Sequence, residues 1–172
     1  MKKVLLITVA LCMCRIAFSQ ETESVKAPSS NEIKLNLLMA VALYPEITYE
    51  RNFAHDFGFG LSAAVSLDGG YEEIYQLTPF FRFYFSSKPS CGFFIETNMA
   101  LVGRKVEYYD YDPYYIPYNS KKKSVADFGL GFAVGYKYFN SRHLVGETYL
   151  GLGRTFDSNV YPRIGIVLGV RL

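Results

Sequence analysis

Histidine and cysteine, the side chains whose ordinary pKa values lie nearest neutrality, are few in this chain of 172 residues: two histidines, His55 and His143, and three cysteines, Cys12, Cys14 and Cys91. A hydrolase or acyltransferase site needs a His within hydrogen-bond reach of a Ser or an acid. Both histidines fall instead in short polar stretches, Ala54-His55-Asp56 and Asn140-Ser141-Arg142-His143, that read as turns. No G-x-S-x-G elbow, zinc spacing or phosphate loop occurs. The runs GLGFAVG and GLGRTF set Gly against large apolar residues in alternation, as strands do, and do not open helices. Asp110-x-Asp112 offers two carboxylates where a hard cation takes about six to eight oxygens. The expectation is a protein that is not an enzyme and holds no metal or cofactor.

What remains is isolated charge and aromatic surface. The acids Glu46, Glu50, Glu96, Asp127 and Glu147 and the bases Lys34, Arg82, Arg104, Lys137, Arg163 and Arg171 recur on the small-residue side of alternating segments. Their near balance predicts an interlocked ion-pair network, because paired buried charges are tolerated and unpaired ones are not. The stretch KVEYYDYDPYYIPYNSKKKS, residues 105–124, carries Tyr108, Tyr109, Tyr111, Tyr114, Tyr115 and Tyr118, followed by Lys121, Lys122 and Lys123. Tyrosine gives a large amphipathic contact area at low entropic cost, which suits a surface-binding loop. The same rings also suit the interfacial girdle of a membrane protein. The lysines would face anionic lipid, each attraction being about 1 kcal/mol near such a surface. A net charge of +2, scattered along the chain, is too weak a field for nucleic acid.

The elements that position these groups follow from periodicity. Residues 1–19 have the basic start, apolar run and small-residue end of a cleavable signal peptide, with cleavage after Ser19. Residues 20–30 read as a flexible polar leader, and 31–172 as one domain. Cys91 is then the single mature cysteine and no internal disulfide is expected. Eight segments of period two follow, near 33–43, 47–53, 57–67, 75–85, 93–101, 128–138, 144–152 and 164–172. Pro79 inside the fourth predicts a bulge or kink.

Eight such segments without a helix predict an all-β, eight-stranded antiparallel up-and-down barrel. One face is Phe, Leu, Ile and Val; the other is Gly, Ala and Ser with single charges. An eight-stranded lumen holds little beyond its own side chains, so the bulky apolar face cannot all point inward. Turned outward into hydrocarbon, it gives a transmembrane barrel whose lipid-facing charges are Arg51 and Arg154, near strand ends. Both termini then lie on the periplasmic side and the longer connections outside.

The phrases NEIKLNLL, YPEITYERNF, LTPFFRFYF, GFFIE, FGLGFAVGYKY and YPRIGIVLGVRL resemble the small outer-membrane β-barrel proteins of Gram-negative bacteria, the group of OmpX and the OmpA transmembrane domain. The resemblance covers roughly residues 31–172 and carries no catalytic motif. It implies an integral outer-membrane monomer with outer-membrane lipid and lipopolysaccharide around it. The barrel-insertion machinery would be its partner during biogenesis and an extracellular ligand or surface its partner afterwards. The expected role is structural and adhesive, through the 105–124 connection over a closed, ion-paired lumen. A narrow channel for small solutes or ions is the alternative.

Overall fold

The computed structural model describes residues 30–68, 72–111, 117–140 and 143–172. Its elements are β1 (Ser30–Asn36), α1 (Leu37–Val41), β2 (Glu46–Asn52), β3 (Phe57–Val65), β4 (Glu73–Phe85), β5 (Gly92–Tyr111), β6 (Pro117–Phe139), β7 (Leu144–Thr155) and β8 (Val160–Arg171). Every strand pairs antiparallel with its sequence neighbours, and β1 pairs with β8 to close an eight-stranded barrel. Closure removes the sheet edges that an open meander would expose. The 1–19 signal and most of the 20–30 leader lie outside the described residues.

Period-two alternation decides which side chains meet the lumen. On the outside, Phe132, Leu150 and Phe128 are 59%, 64% and 57% exposed, and the same apolar surface continues around all eight strands. At the end where β1 starts and β8 finishes, here the terminal end, Phe53, Phe57, Phe81, Phe83, Phe85 and Phe93 form a chain of ring contacts, among them Phe83–Phe85 at 4.7 Å and Phe57–Phe83 at 5.1 Å. Inside, large residues lie over glycines of neighbouring strands. A Cβ added to Gly153 would fall 2.0 Å from Tyr161 Cζ, and one added to Gly135 would fall 2.5 Å from Phe94 Cζ. This pairing of large with small lets so narrow a barrel hold aromatics and charges together.

Gly151 is tighter still, because its added Cβ would meet backbone, 2.1 Å from the carbonyl oxygen of Phe132 and 2.5 Å from Ala133 Cα. Overpacking against groups that cannot rotate away costs about 1–3 kcal/mol. Gly151→Ala is therefore expected to lower the unfolding free energy of the barrel by that amount, read as a lower denaturant midpoint. An unchanged midpoint would contradict the packing described.

Three expectations need correction. First, the opening alternation does not run as a strand to Leu43. β1 stops at Asn36, whose side chain accepts the Met39 N–H at 3.3 Å and caps the single turn of α1. From Leu37 to Leu43 every residue is apolar, so period two has no polar partner to enforce it. Second, Pro79 makes no bulge. It stays in register against Leu61 of β3, and the β4–β5 register is the same at Leu77↔Leu101 as at Phe80↔Asn98. The irregularity lies between Glu73 and Tyr75. Third, residues 105–124 are not one long loop. The β5–β6 ladder continues from Lys105↔Ser124 to Tyr111↔Pro117 as a two-stranded ribbon.

Candidate functional site

The lumen is occupied by charge. Glu32 and Lys34 of β1, Glu50 of β2, Arg82 of β4, Glu96 of β5, Lys137 of β6, Glu147 of β7 and Arg163 of β8 are all buried, with Glu50, Arg82 and Lys137 fully inaccessible. Alternation along each strand sends these side chains inward, and the tilt and register of the barrel bring distant strands to one level. The resulting chain of ion pairs is continuous. Near the terminal end, Arg171 Nη2 donates to Glu32 at 2.6 Å and Lys137 Nζ to Glu32 at 2.9 Å. Lys34 Nζ pairs with Glu50 and, at 2.6 Å, with Glu147. Arg82 donates to Glu50, Glu96 and Glu147, each at 2.8 Å. Toward the other end, Arg163 donates to Glu96 at 2.8 Å and to Glu46. Five acids and five bases thus share one network, which leaves no net charge to bury.

Aromatic faces complete the cage. Arg82 lies 4.5 Å from the centroid of Phe80 and 4.3 Å from that of Phe94, Arg163 4.7 Å from Tyr149, and Lys137 4.6 Å from Tyr84. Such stacking favours a guanidinium or ammonium that has lost its water. Tyr84 also donates its hydroxyl to Glu50. The carboxylates of Glu32, Glu50 and Glu147 each bring one oxygen within 4.8 Å of the others, a spacing that would suit a cation. The ammonium groups of Lys34 and Lys137 fill that role, each pairing with all three acids.

Of the lumen residues expected from sequence, Lys34, Glu46, Glu50, Arg82, Glu96, Lys137, Glu147, Arg163 and Arg171 lie in this network. Arg104 stands apart toward the opposite rim, where Nη2 donates to Glu73 at 3.2 Å. Asp127 lies level with Val102 of β5, also outside the central network. Glu32 and Glu73 were not anticipated. Glu32 was legible in principle, since Glu32, Lys34 and Asn36 alternate with Ile33 and Leu35, but it precedes the first apolar residue of the run.

The surface candidates are distributed along the ribbon. Tyr108, Tyr109 and Lys121 occupy paired positions, Tyr108↔Lys121 and Tyr109↔Ser120, and Lys122 and Lys123 stand opposite Glu107 and Val106. Tyr111 lies at its far end and Tyr118 in the first residues of β6. Tyr114 and Tyr115 lie outside the described residues. Lys123 is exposed. Both histidines lie in turns at the terminal end, far along the barrel from the ribbon. Cys91, in another of those turns, donates its thiol to the carbonyl of Lys137 at 3.2 Å.

His55 holds the Asp56 carboxylate at 2.5 Å and meets the Ser87 carbonyl at 3.2 Å, linking two turns. The Asp56 hydrogen bond holds the imidazole pKa above its ordinary value. A raised folded pKa stabilises below the unfolded value of about 6.5, and the contribution is lost as pH rises through the folded pKa. A proton NMR titration of His55 is expected to give a midpoint above the ordinary one, and His55→Gln to abolish that pH dependence. A midpoint at or below it would contradict the contact.

The pairings define the class of protein: a closed, all-antiparallel, eight-stranded barrel with an apolar exterior and an ion-paired lumen. No protein-family model matches the sequence, and no curated protein matches it. Among solved structures the chain is similar to the N-terminal β-barrel domain of OprF from Pseudomonas aeruginosa, at 11% identity with a TM-score of 0.49, over 84% of this chain and 96% of that one. At that distance the fold assignment rests on the strand pairings themselves.

Proposed function

We propose that the protein is an integral outer-membrane barrel with a closed lumen, acting in the envelope as a structural and surface-interaction protein. The observation that carries this reading is the inversion of the barrel: hydrocarbon side chains face out and the charges are folded in and paired. In water such an exterior would far exceed the apolar patches that soluble monomers expose. In a bilayer it is the surface required, and a barrel satisfies every backbone group within the wall.

Closure is supported by what the lumen contains. The cavity between Tyr44, Glu46, Ser62, Thr78 and Arg163 has a volume of about 10 Å³, space for about one water. Ions would have to displace the Arg82 and Lys34 networks to pass. Planar-bilayer recording is expected to show a flat baseline. Steady, resolved openings would overturn closure and favour the narrow channel.

The surface role falls to the β5–β6 ribbon. β4 leaves β5 at Glu73↔Arg104, and β7 leaves β6 at Gly129↔Thr155, so the ribbon runs on past both neighbours. Open strand edges and tyrosines are standard means of engaging an extended partner. Replacing Tyr114, Tyr115 and Tyr118 by Ser should leave the folded barrel intact and reduce adherence of expressing cells to a protein-coated surface to that of cells lacking the barrel. Undiminished adherence would remove the ribbon from the account.

A further inference from the structure

The barrel rim is uneven, and its lowest point is not left open. β1 and β2 have seven residues each, whereas β8 has twelve. The β1–β8 ladder ends at Asn36↔Val167, so residues 160–166 of β8 pair with β7 on one side and have no β1 partner on the other. The β1–β2 ladder ends at the same level, at Asn36↔Glu46. The wall therefore has a notch between β8 and β3, and α1 with Leu43 and Tyr44 fills it.

This filling is held at its ends. Asn36 Nδ2 donates to the Ile164 carbonyl at 3.0 Å and to Glu46 at 2.8 Å, while the Leu43 carbonyl accepts the Leu67 N–H at 2.9 Å. Between the anchors, α1 is a single turn with no buried residue, too short to be stable by itself. Leu43 adopts φ 58°, a left-handed conformation that costs a Leu side chain energy. Its outer face is apolar: Leu37, Leu38 and Leu43 are exposed, and Val41 is 85% exposed. Its inner face differs. Met39 and Tyr44 roof the cavity whose other walls include Glu46, Ser62, Thr78 and Arg163.

Beyond these anchors, a weak turn with lipid-seeking residues outside and polar lumen beneath depends on the hydrocarbon around it. We infer that α1 and Leu43–Tyr44 form a lateral lid, held shut by the membrane, over the polar end of the lumen. The lid rests on the membrane reading given above. Its opening admits water to the Arg163–Glu46 pair through the wall and not along the barrel axis. Anything that thins the surrounding hydrocarbon, or makes the lid polar, opens it.

The test places one thiol in the roofed cavity. Thr78 lines it and is 1% exposed. In the full chain with Cys12, Cys14 and Cys91 changed to Ser and Thr78→Cys added, reaction with a small water-soluble methanethiosulfonate reagent is followed in lipid vesicles. Val41→Asp and Leu38→Asp are each expected to speed labelling about tenfold, equivalent to about 1.4 kcal/mol of lid opening. Phe156→Asp, at a residue 75% exposed and outside the lid, is expected to leave the rate unchanged. The parent barrel should label faster in short-tailed than in long-tailed lipid, which provides a second reading if an Asp variant does not fold. Equal rates in the folded lid variants, the Phe156 control and both lipids would overturn the lid. Failure of the membrane reading is separate: the parent would then not float with vesicles.

Discussion

Replacing Arg82 by Met is expected to cost the barrel about 3–5 kcal/mol, the cost of leaving a buried charge without its partner. Arg82 is fully buried and donates to Glu50, Glu96 and Glu147 at once. Its removal leaves five acids facing four bases in a buried space, and the surplus carboxylate is held away from solvent. The size of the loss reflects an uncompensated charge, since a balanced buried pair can often be replaced by apolar residues at little cost. The double variant Arg82→Met with Glu147→Gln should therefore recover most of the loss. Urea midpoints of folding into vesicles, read by gel mobility, distinguish the two cases. A single variant as stable as the parent would mean that the network adds nothing to holding the strands together.

The second large effect lies on the other face. Leu150 is 64% exposed at the middle of β7, flanked by Val134 of β6 and Ile164 of β8. Leu150→Arg is expected to destabilise the barrel by about 2–4 kcal/mol, the cost of a guanidinium at the bilayer midplane. The same change at Phe156, in the connection between β7 and β8, should cost about 0–1 kcal/mol. In a soluble barrel both positions would simply be wet and an Arg at either would be harmless. The contrast between the two sites thus reports the solvent around the protein, independently of fold.

The outward pattern was legible because it is local. Phe128, Leu130, Phe132 and Val134 alternate with Gly129, Gly131 and Ala133, and no tertiary information is needed to see two faces. The inward placement of the charges followed from the same alternation. Their partners did not. Lys34 meets Glu147 across 113 positions, and Arg163 meets Glu46 across 117. Those meetings depend on strand tilt and register around a closed wall, which a period of two does not encode.

Element ends were hidden for different reasons. The segment Leu37–Leu43 is apolar throughout and so is equally consistent with a strand and with a turn of helix. The capping oxygen of Asn36 decides for the helix, and its other contacts are long-range. The ribbon was hidden because Tyr, Asp, Pro and Lys together look like a loop, although tyrosines also favour strands. There the β5–β6 ladder outweighed composition.

The most direct test of the central claim is the state of the protein in fractionated cells, read by gel mobility with and without boiling in detergent. The account predicts that the chain stays with the outer-membrane fraction through a carbonate wash, and that its unboiled form migrates as a compact species converted by heat to the unfolded position. A protein released in the soluble fraction, with one mobility before and after boiling, would contradict it.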